Sequence, residues 1–294
     1  MCDRAGNART AGMRRFRLAG RAALSAVLVL LSAGCTSPKV MPFRDEEAFG
    51  DFALAALSAV HPDYDFGPGA DVRETDDGLA ATVTAYPVGS FMDRGEYFTV
   101  TVSLNQKTGQ ISVSPIPKTR LGRILRQLGP PADPEHAENA RELLSNMGRS
   151  VEVVAVAELT EPMTDAELEK AKVPGTSKPI LSVAEGPPPL GPPLFCVRPC
   201  NAVPGDLSAT DSVKAWVATL GPADRPALQA FDLDLDSLRA VARRGKVFGL
   251  IYDDYPAEAL LKVSEHPKVK ALYVADVGLR CAGDDEGFCI PWRD

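Results

Sequence analysis

Apolar residues recur at the three- and four-residue spacing of an amphipathic helix across residues 46–60. A turn containing proline and glycine is expected at residues 61–70, where this helix must end. Alternating apolar and polar positions then predict strands at residues 79–86, 97–104 and 111–113. Residues 105–109 form a predicted hairpin loop in which Gly109 accepts a positive φ. A helix packed on an antiparallel meander is therefore expected for residues 45–117.

The turn sequence Asn-Gln-Lys-Thr-Gly at residues 105–109, with the short strand after it, resembles the PepSY domain family. That family has a helix, a strand, and a further strand that ends in an Asp-x-x-Thr-Gly turn. Asn105 stands here where the family usually has Asp. The resemblance covers residues 46–115. It implies a domain that binds or restrains a partner, and it transfers no catalytic residue. An unrelated α+β domain with a hairpin is the alternative.

The rest of the chain alternates helical and strand patterns. Helices are predicted at residues 118–128, 134–147, 164–172, 210–220, 235–243 and 256–266, and strands at residues 151–159, 180–184, 247–252 and 269–277. Thr164 followed by Glu167 is a capping-box pattern, which predicts the start of one helix. We expect residues 118–186 to hold two helices and a strand–helix–strand unit, and residues 206–294 to form an α/β region.

Residues 151–184 and 247–277 follow the same strand–helix–strand order, with a similar acidic turn in each. The connection within the second unit is long enough for a right-handed crossover, so its two strands are predicted to be parallel neighbours. A weak internal duplication, packed into a single ferredoxin-like sheet, would explain both units. The predicted fold class is therefore α+β, with the two units in one sheet.

Residues 187–205 are predicted to be an extended linker, because seven of the eighteen residues from Pro187 to Pro204 are proline. A polyproline ligand for a groove on another protein is the alternative. Four cysteines lie in this linker and in the C-terminal tail: Cys196, Cys200, Cys281 and Cys289. In an exported chain they predict disulfides, with the local pairs 196–200 and 281–289 favoured over pairs that join linker and tail. A zinc site or redox dithiol is the alternative, although neither spacing matches the common motifs.

The N-terminal residues have the order of a secretory signal, with arginines first, then an apolar run at residues 24–31, then small residues. The uncharged stretch at residues 22–33 is shorter than the roughly 20 residues that a spanning helix needs. Leu-Ser-Ala-Gly-Cys at residues 31–35 resembles a bacterial lipobox. The resemblance implies a signal peptide at residues 1–34, acylation of Cys35 and a tether at residues 35–44.

The residue after the acylated cysteine predicts where the protein is located. Thr36 occupies the position at which Asp would be the usual retention signal for the inner membrane. The expected location is therefore the outer membrane, facing the periplasm, in a bacterium with two membranes. In a bacterium with one membrane it is the outer face of the cell membrane.

Charge restricts the partners. Removing residues 1–34 removes six arginines and Asp3, so the remaining chain has 26 basic and 38 acidic side chains, a formal charge of −12 instead of −7. Such a surface repels phosphate backbones, and nucleic-acid binding is not expected. The expected partners are the bilayer, through Cys35, and a protein or peptide. Three acids between the last two cysteines, Asp284, Asp285 and Glu286, are candidate contacts with a basic partner.

The sequence has no nucleotide, nucleophile or metal motif, so no catalytic residue, cofactor or metal ligand is predicted. Asp232, Asp234 and Asp236 resemble the start of a calcium loop. However, Ser237 and Arg243 occupy the positions of its required Gly and Glu, so the N-terminus of a helix is the preferred interpretation. The three scattered histidines, His61, His136 and His266, are predicted to be surface or capping groups.

The function predicted from the sequence is non-catalytic binding or regulation by an envelope lipoprotein. One alternative is a periplasmic hydrolase with an unrecognised carboxylate site. The other is a thiol or metal protein that uses Cys196 and Cys200.

Overall fold

The computed structural model describes residues 43, 45–89, 97–129, 134–148, 151–174, 178–181, 194–195 and 208–279, which belong to one compact unit. This part of the chain is built from eight α-helices and two antiparallel sheets of five strands each. The α+β class predicted from the sequence is confirmed. No helix among the described residues is both long and apolar enough to cross a membrane.

The first sheet is an antiparallel meander that packs one face on helix α1 (Glu46–Val60). Its strands are β1 (Tyr64–Phe66), β2 (Asp71–Thr75), β3 (Gly78–Pro87), β4 (Phe98–Asn105) and β5 (Ile111–Val113). β1 and β2 pair with successive parts of one edge of β3, and β4 and β5 follow on its other side. The helix and the three strands that the sequence predicts here are confirmed. The sequence does not predict β1, which lies within the turn expected at residues 61–70, or β2, which follows that turn.

Helix α1 is buried on both sides, whereas the sequence predicts a single apolar stripe. Its second neighbour is a group of three helices: α5 (Ala209–Thr219), α6 (Arg225–Gln229) and α7 (Leu235–Arg244), of which α6 is an addition to the predicted elements. The ring of Phe52 on α1 packs edge-on against Phe231, with centroids 6.0 Å apart. Residues of the first sheet, α1 and these three helices therefore share one hydrophobic core.

The second sheet contains β6 (Val151–Met163), β7 (Lys178–Leu181), β8 (Leu194–Phe195), β9 (Val247–Pro256) and β10 (Val269–Leu279). Their order is β10-β6-β9-β7-β8, and every neighbouring pair is antiparallel. The prediction that residues 151–184 and 247–277 share a sheet is confirmed. The prediction that β9 and β10 are neighbours is wrong, because β6 lies between them and pairs with both. The nearly continuous apolar run of β6 suits this position, since helices cover the strand on both faces.

Different helices cover the two faces of the second sheet. One face packs on α3 (Pro134–Ser145), α4 (Asp165–Ala171) and α8 (Ala257–Ser264). The other packs on α2 (Arg120–Leu125), where Leu121 and Leu125 belong to the same buried cluster as Val154 and Ile251. Helix α4 begins with the capping box that the sequence predicts. Thr164 accepts a hydrogen bond from the N–H of Glu167, and the Glu167 carboxylate accepts one from the N–H of Thr164.

Candidate binding surface

The first sheet has an outward face lined with hydroxyl groups. The buried residues of β3 and β4 point toward α1: Leu79, Ala81, Val83, Val100, Val102 and Leu104. The residues between them lie on the opposite face, because successive side chains of a strand alternate. Among them, Ala80 is buried, whereas Thr82, Thr84, Thr99, Thr101 and Ser103 are partly or fully exposed. We call these five residues the hydroxyl face.

Strand pairing arranges the hydroxyl face in two rows. Thr82 lies opposite Thr101, and Thr84 lies opposite Thr99. Ser112 of β5 lies beside Ser103 and extends the rows to a third strand. Charged residues border this face on β1 and β2, which pair with the edge of β3 that β4 does not occupy. There Asp71 lies opposite Thr82, Arg73 opposite Ala80, and Asp65 opposite Tyr86.

Two exposed tyrosines lie at one end of the hydroxyl face. Tyr86 is two residues beyond Thr84, and Tyr97 is two residues before Thr99. Their ring centroids are 6.0 Å apart, and the ring planes are tilted by 48°. Tyr86 is 43% exposed and Tyr97 is 63% exposed, although each ring offers a large apolar area. We call these two residues the tyrosine pair. Exposed aromatic residues of this kind are enriched where proteins contact partners.

The β4–β5 turn lies at the opposite end of the hydroxyl face. The side-chain oxygen of Asn105 accepts hydrogen bonds from the backbone N–H groups of Lys107 and Thr108, each at 3.0 Å. Gly109 has the positive φ of 72° that the sequence predicts, and its N–H donates to the carbonyl of Asn105. Asn105 therefore closes the turn as a side-chain acceptor. The turn fixes the register that places Ser103 beside Ser112.

A buried carboxylate joins the first sheet to α2. Asp63 is 6% exposed and accepts a hydrogen bond of 2.5 Å from the hydroxyl of Thr119. The same hydroxyl caps α2 by accepting a hydrogen bond from the N–H of Gly122. Beside it, Tyr64 donates its hydroxyl to the carbonyl of Pro117 at 2.9 Å. Burial, together with the nearby Asp63 charge, raises the pKa of Tyr64 to about 12, so this phenol stays a neutral donor.

A second buried carboxylate lies within the second sheet. Glu158 on β6 is 2% exposed, and Lys270 on β10 pairs with it at 2.7 Å. Tyr273 donates a hydrogen bond of 3.3 Å to the other carboxylate oxygen. Burial and the charge of Glu158 raise the pKa of Tyr273 to about 12. The carboxylate is thus compensated by a lysine and a phenol that belong to the same sheet.

One of the acids at the start of α7, Asp234, caps this helix, as the sequence predicts. The carboxylate of Asp234 accepts a hydrogen bond of 2.8 Å from the N–H of Ser237, and this bond lowers its pKa. Arg225 contacts both carboxylate oxygens of the neighbouring Asp236. A side-chain hydrogen bond also joins the starts of two other helices. The hydroxyl of Thr210 on α5 donates to the carboxylate of Asp165 on α4.

Two histidines make hydrogen bonds with the backbone at the ends of helices or in turns. His61 is the C-cap residue of α1, where its backbone N–H donates to the carbonyl of Leu57. Burial lowers its pKa. His266 accepts a hydrogen bond from the N–H of Lys268 at Nδ1, and its Nε2 lies 3.1 Å from the carbonyl oxygen of Ala171. The capping role predicted for His61 is confirmed, while the side chain of His136 lies outside the described residues.

Every functional residue that the sequence singles out lies outside the described residues: Cys35, Cys196, Cys200, Cys281, Cys289, Asp284, Asp285 and Glu286. Their lipidation, disulfide and contact roles stay predictions. Within the described ranges, no group of three or more His, Cys, Asp and Glu side chains could hold a metal ion. Sequence reasoning missed the hydroxyl face and the tyrosine pair. The signal was the Thr-x-Thr alternation of β3 and β4, which predicted the strands but not which rows face each other.

No family model, curated protein or solved structure matches this chain. The candidate surface is therefore inferred from the geometry of the chain itself.

Proposed function

We propose that this chain is an acylated envelope lipoprotein whose folded part binds a partner without catalysing a reaction, as an accessory or regulatory module. The observation that carries the proposal is the hydroxyl face with its tyrosine pair, exposed on a sheet that α1 packs from behind. An exposed sheet face suits a large partner, whereas enzymes usually bind small substrates in concave pockets.

The location in this proposal follows from the leader. Cleavage after residue 34 makes Cys35 the acylated N-terminus, and more than one acyl chain gives the stable anchoring that a single chain does not. Residues 35–44 then connect the bilayer to α1, and the folded part faces the periplasm from the outer membrane. In that oxidising compartment the four cysteines of the linker and the tail form disulfides.

We include two fold assignments in this proposal, a PepSY-like first domain and a ferredoxin-like second sheet. The order of the strands supports both. A helix followed by an antiparallel meander is the order of a PepSY-like domain. In the second sheet, β6-α4-β7 and β9-α8-β10 interleave to give the order β10-β6-β9-β7, which is that of a ferredoxin-like sheet with a duplicated unit. The partners are the bilayer, through Cys35, and a macromolecule at the hydroxyl face. The PepSY resemblance alone would imply a protein or peptide.

Three buried or partly buried acids have structural partners, which supports binding rather than catalysis. Asp63 accepts a hydrogen bond from Thr119, and Asp165 accepts one from Thr210. Glu158 is paired with Lys270. A general base needs a proton-accepting atom within reach of a substrate. These carboxylates instead connect one element of the fold to another.

Site-specific photo-crosslinking in intact cells tests this proposal. A photoreactive amino acid at position 99 lies on the hydroxyl face, and one at position 143 replaces Leu143, which is 45% exposed on α3. We expect a specific macromolecular adduct from position 99 and none of the same mass from position 143. Equal labelling from both positions, or none from position 99, would contradict the proposal. Deleting residues 46–115 is a poorer test, because this segment shares its core with α5, α6 and α7.

A further inference from the structure

We propose that the hydroxyl face and the tyrosine pair bind a neutral, polyhydroxylated glycan chain. This inference rests on the proposed function and names its partner class. A glycan has two kinds of surface, namely apolar C–H faces on its rings and hydroxyl groups around their edges. The outward face of the first sheet offers a counterpart to each.

The tyrosine pair matches the C–H faces of sugar rings. Aromatic rings bury apolar area at a low cost in conformational entropy, and their phenol groups stay at the wet edge of a contact. Tyr86 and Tyr97 lie with centroids 6.0 Å apart and planes tilted by 48°, so they present two platforms of different orientation. A chain whose successive rings differ in orientation can contact both platforms.

The hydroxyl rows match the edges of the sugar rings. Each Thr or Ser hydroxyl can donate one hydrogen bond and accept others, as a sugar hydroxyl does, so either partner can take either role. From Tyr97 to Ser103 the row on β4 spans six residue steps, roughly 20 Å at about 3.3 Å per residue. That length accommodates several sugar units in a chain running along the strands.

The charge pattern favours a neutral partner. On β3 and β4 the outward positions from Ala80 to Tyr86 and from Tyr97 to Asn105 are uncharged. The charged groups at the border are Asp65 on β1 and Asp71 and Arg73 on β2, so the border holds both signs. The net negative charge of the chain repels anionic polymers. A cationic peptide would gain most at acidic borders, whereas a neutral glycan can be desolvated against the central rows without placing a charge in them.

Calorimetric titration of the full chain with chitopentaose and cellopentaose tests the inference, in a detergent without a sugar head group. We expect saturable binding of at least one of them. Tyr86→Ala and Tyr97→Ala should each weaken it by roughly three- to tenfold. Leu143→Ala removes a side chain of matched exposure on α3 and should leave the affinity unchanged. Thermal unfolding of each variant reports whether it is folded.

Salt dependence separates a glycan from a charged partner. Binding of a neutral ligand should change little between low and high salt, because salt screens only charge interactions. No saturable binding by the wild type, or equal binding by a folded Tyr86→Ala/Tyr97→Ala double variant, would overturn the inference. A peptide adduct at position 99 with no glycan binding would also overturn it and would leave the proposed function standing. The absence of any adduct at position 99 would instead contradict the proposed function itself.

Discussion

The hydroxyl of Thr119 donates to the carboxylate of Asp63 across 56 positions of sequence. Asp63 lies in the turn between α1 and β1, and Thr119 is the N-cap of α2. Leu121 and Leu125 of α2 pack in one buried cluster with residues of the second sheet. This single hydrogen bond therefore ties the first sheet to the helix that lies against the second.

Thr119→Val should destabilise the protein by about 2–3 kcal/mol. The variant loses the cap on the N–H of Gly122, and it leaves the buried Asp63 carboxylate without this donor. Thr119→Ser keeps the hydroxyl and is the matched control, with an expected loss below about 1 kcal/mol. Urea denaturation measures both free energies of unfolding. Equal stability of the Val and Ser variants would show that the hydroxyl contributes little.

Gly122→Ala should also destabilise, although alanine normally favours a helix. A Cβ at this position would overlap the carboxylate of Asp63, which lies against the backbone there. Overpacking of this kind costs about 1–3 kcal/mol, more than the gain in helix propensity of about 1 kcal/mol. Gly69→Ala is the control, because its Cβ would meet no atom within 4 Å in the described part of the chain. A Gly122→Ala protein as stable as the control would mean that Asp63 moves aside freely.

Lys270→Met should cost about 3 kcal/mol, because it leaves the carboxylate of Glu158 buried without its cation. Lys268→Met provides the comparison. Lys268 pairs with Glu161 at the same distance, 2.7 Å, but the Glu161 side chain is 63% exposed. An exposed pair contributes less than about 1 kcal/mol. Chemical denaturation should therefore show a larger loss of unfolding free energy for Lys270→Met than for Lys268→Met. Equal losses would contradict the claim that burial makes the Glu158 pair the more important one.

The free energy of unfolding should fall as the pH drops below the ordinary pKa of histidine, 6.5, because of His61. Burial lowers the pKa of His61, Asp63 opposes that shift, and Arg126 adds to it. The unfolded chain then binds a proton that the folded chain does not, so stability decreases with falling pH until the folded-state pKa is passed. His61→Gln should show a smaller decrease between about pH 7.5 and pH 5.5 in urea denaturation. An unchanged pH dependence in this variant would rule out His61 as its source.

Local signals predicted the elements well. Thr164 and Glu167 are three residues apart and define the start of α4 by their own hydrogen bonds. Asn105 and Gly109 define the β4–β5 turn in the same local way. Helix α1 has the predicted bounds because its apolar spacing and the following Pro62 are both local features.

Contacts distant in sequence could not be predicted from these signals. The sequence of β9, α8 and β10 is compatible with adjacent parallel strands, and only the insertion of β6 between them excludes that arrangement. Likewise, the continuous apolar run at residues 52–57 indicates burial around α1 but does not identify α5, α6 and α7 as the helices that cover its second side. The candidate surface depends on the register of β3 and β4, which joins Thr84 to Thr99 and brings Tyr86 near Tyr97.

Acylation of Cys35 is the claim on which the proposed location, the disulfides and the envelope partner all depend. Mass spectrometry of the protein purified from its own membranes tests it directly. We predict an N-terminal peptide that begins at Cys35 and has the added mass of a diacylglycerol group and an amide-linked acyl chain. An uncut, unmodified N-terminus on protein recovered from the soluble cell contents would contradict the account.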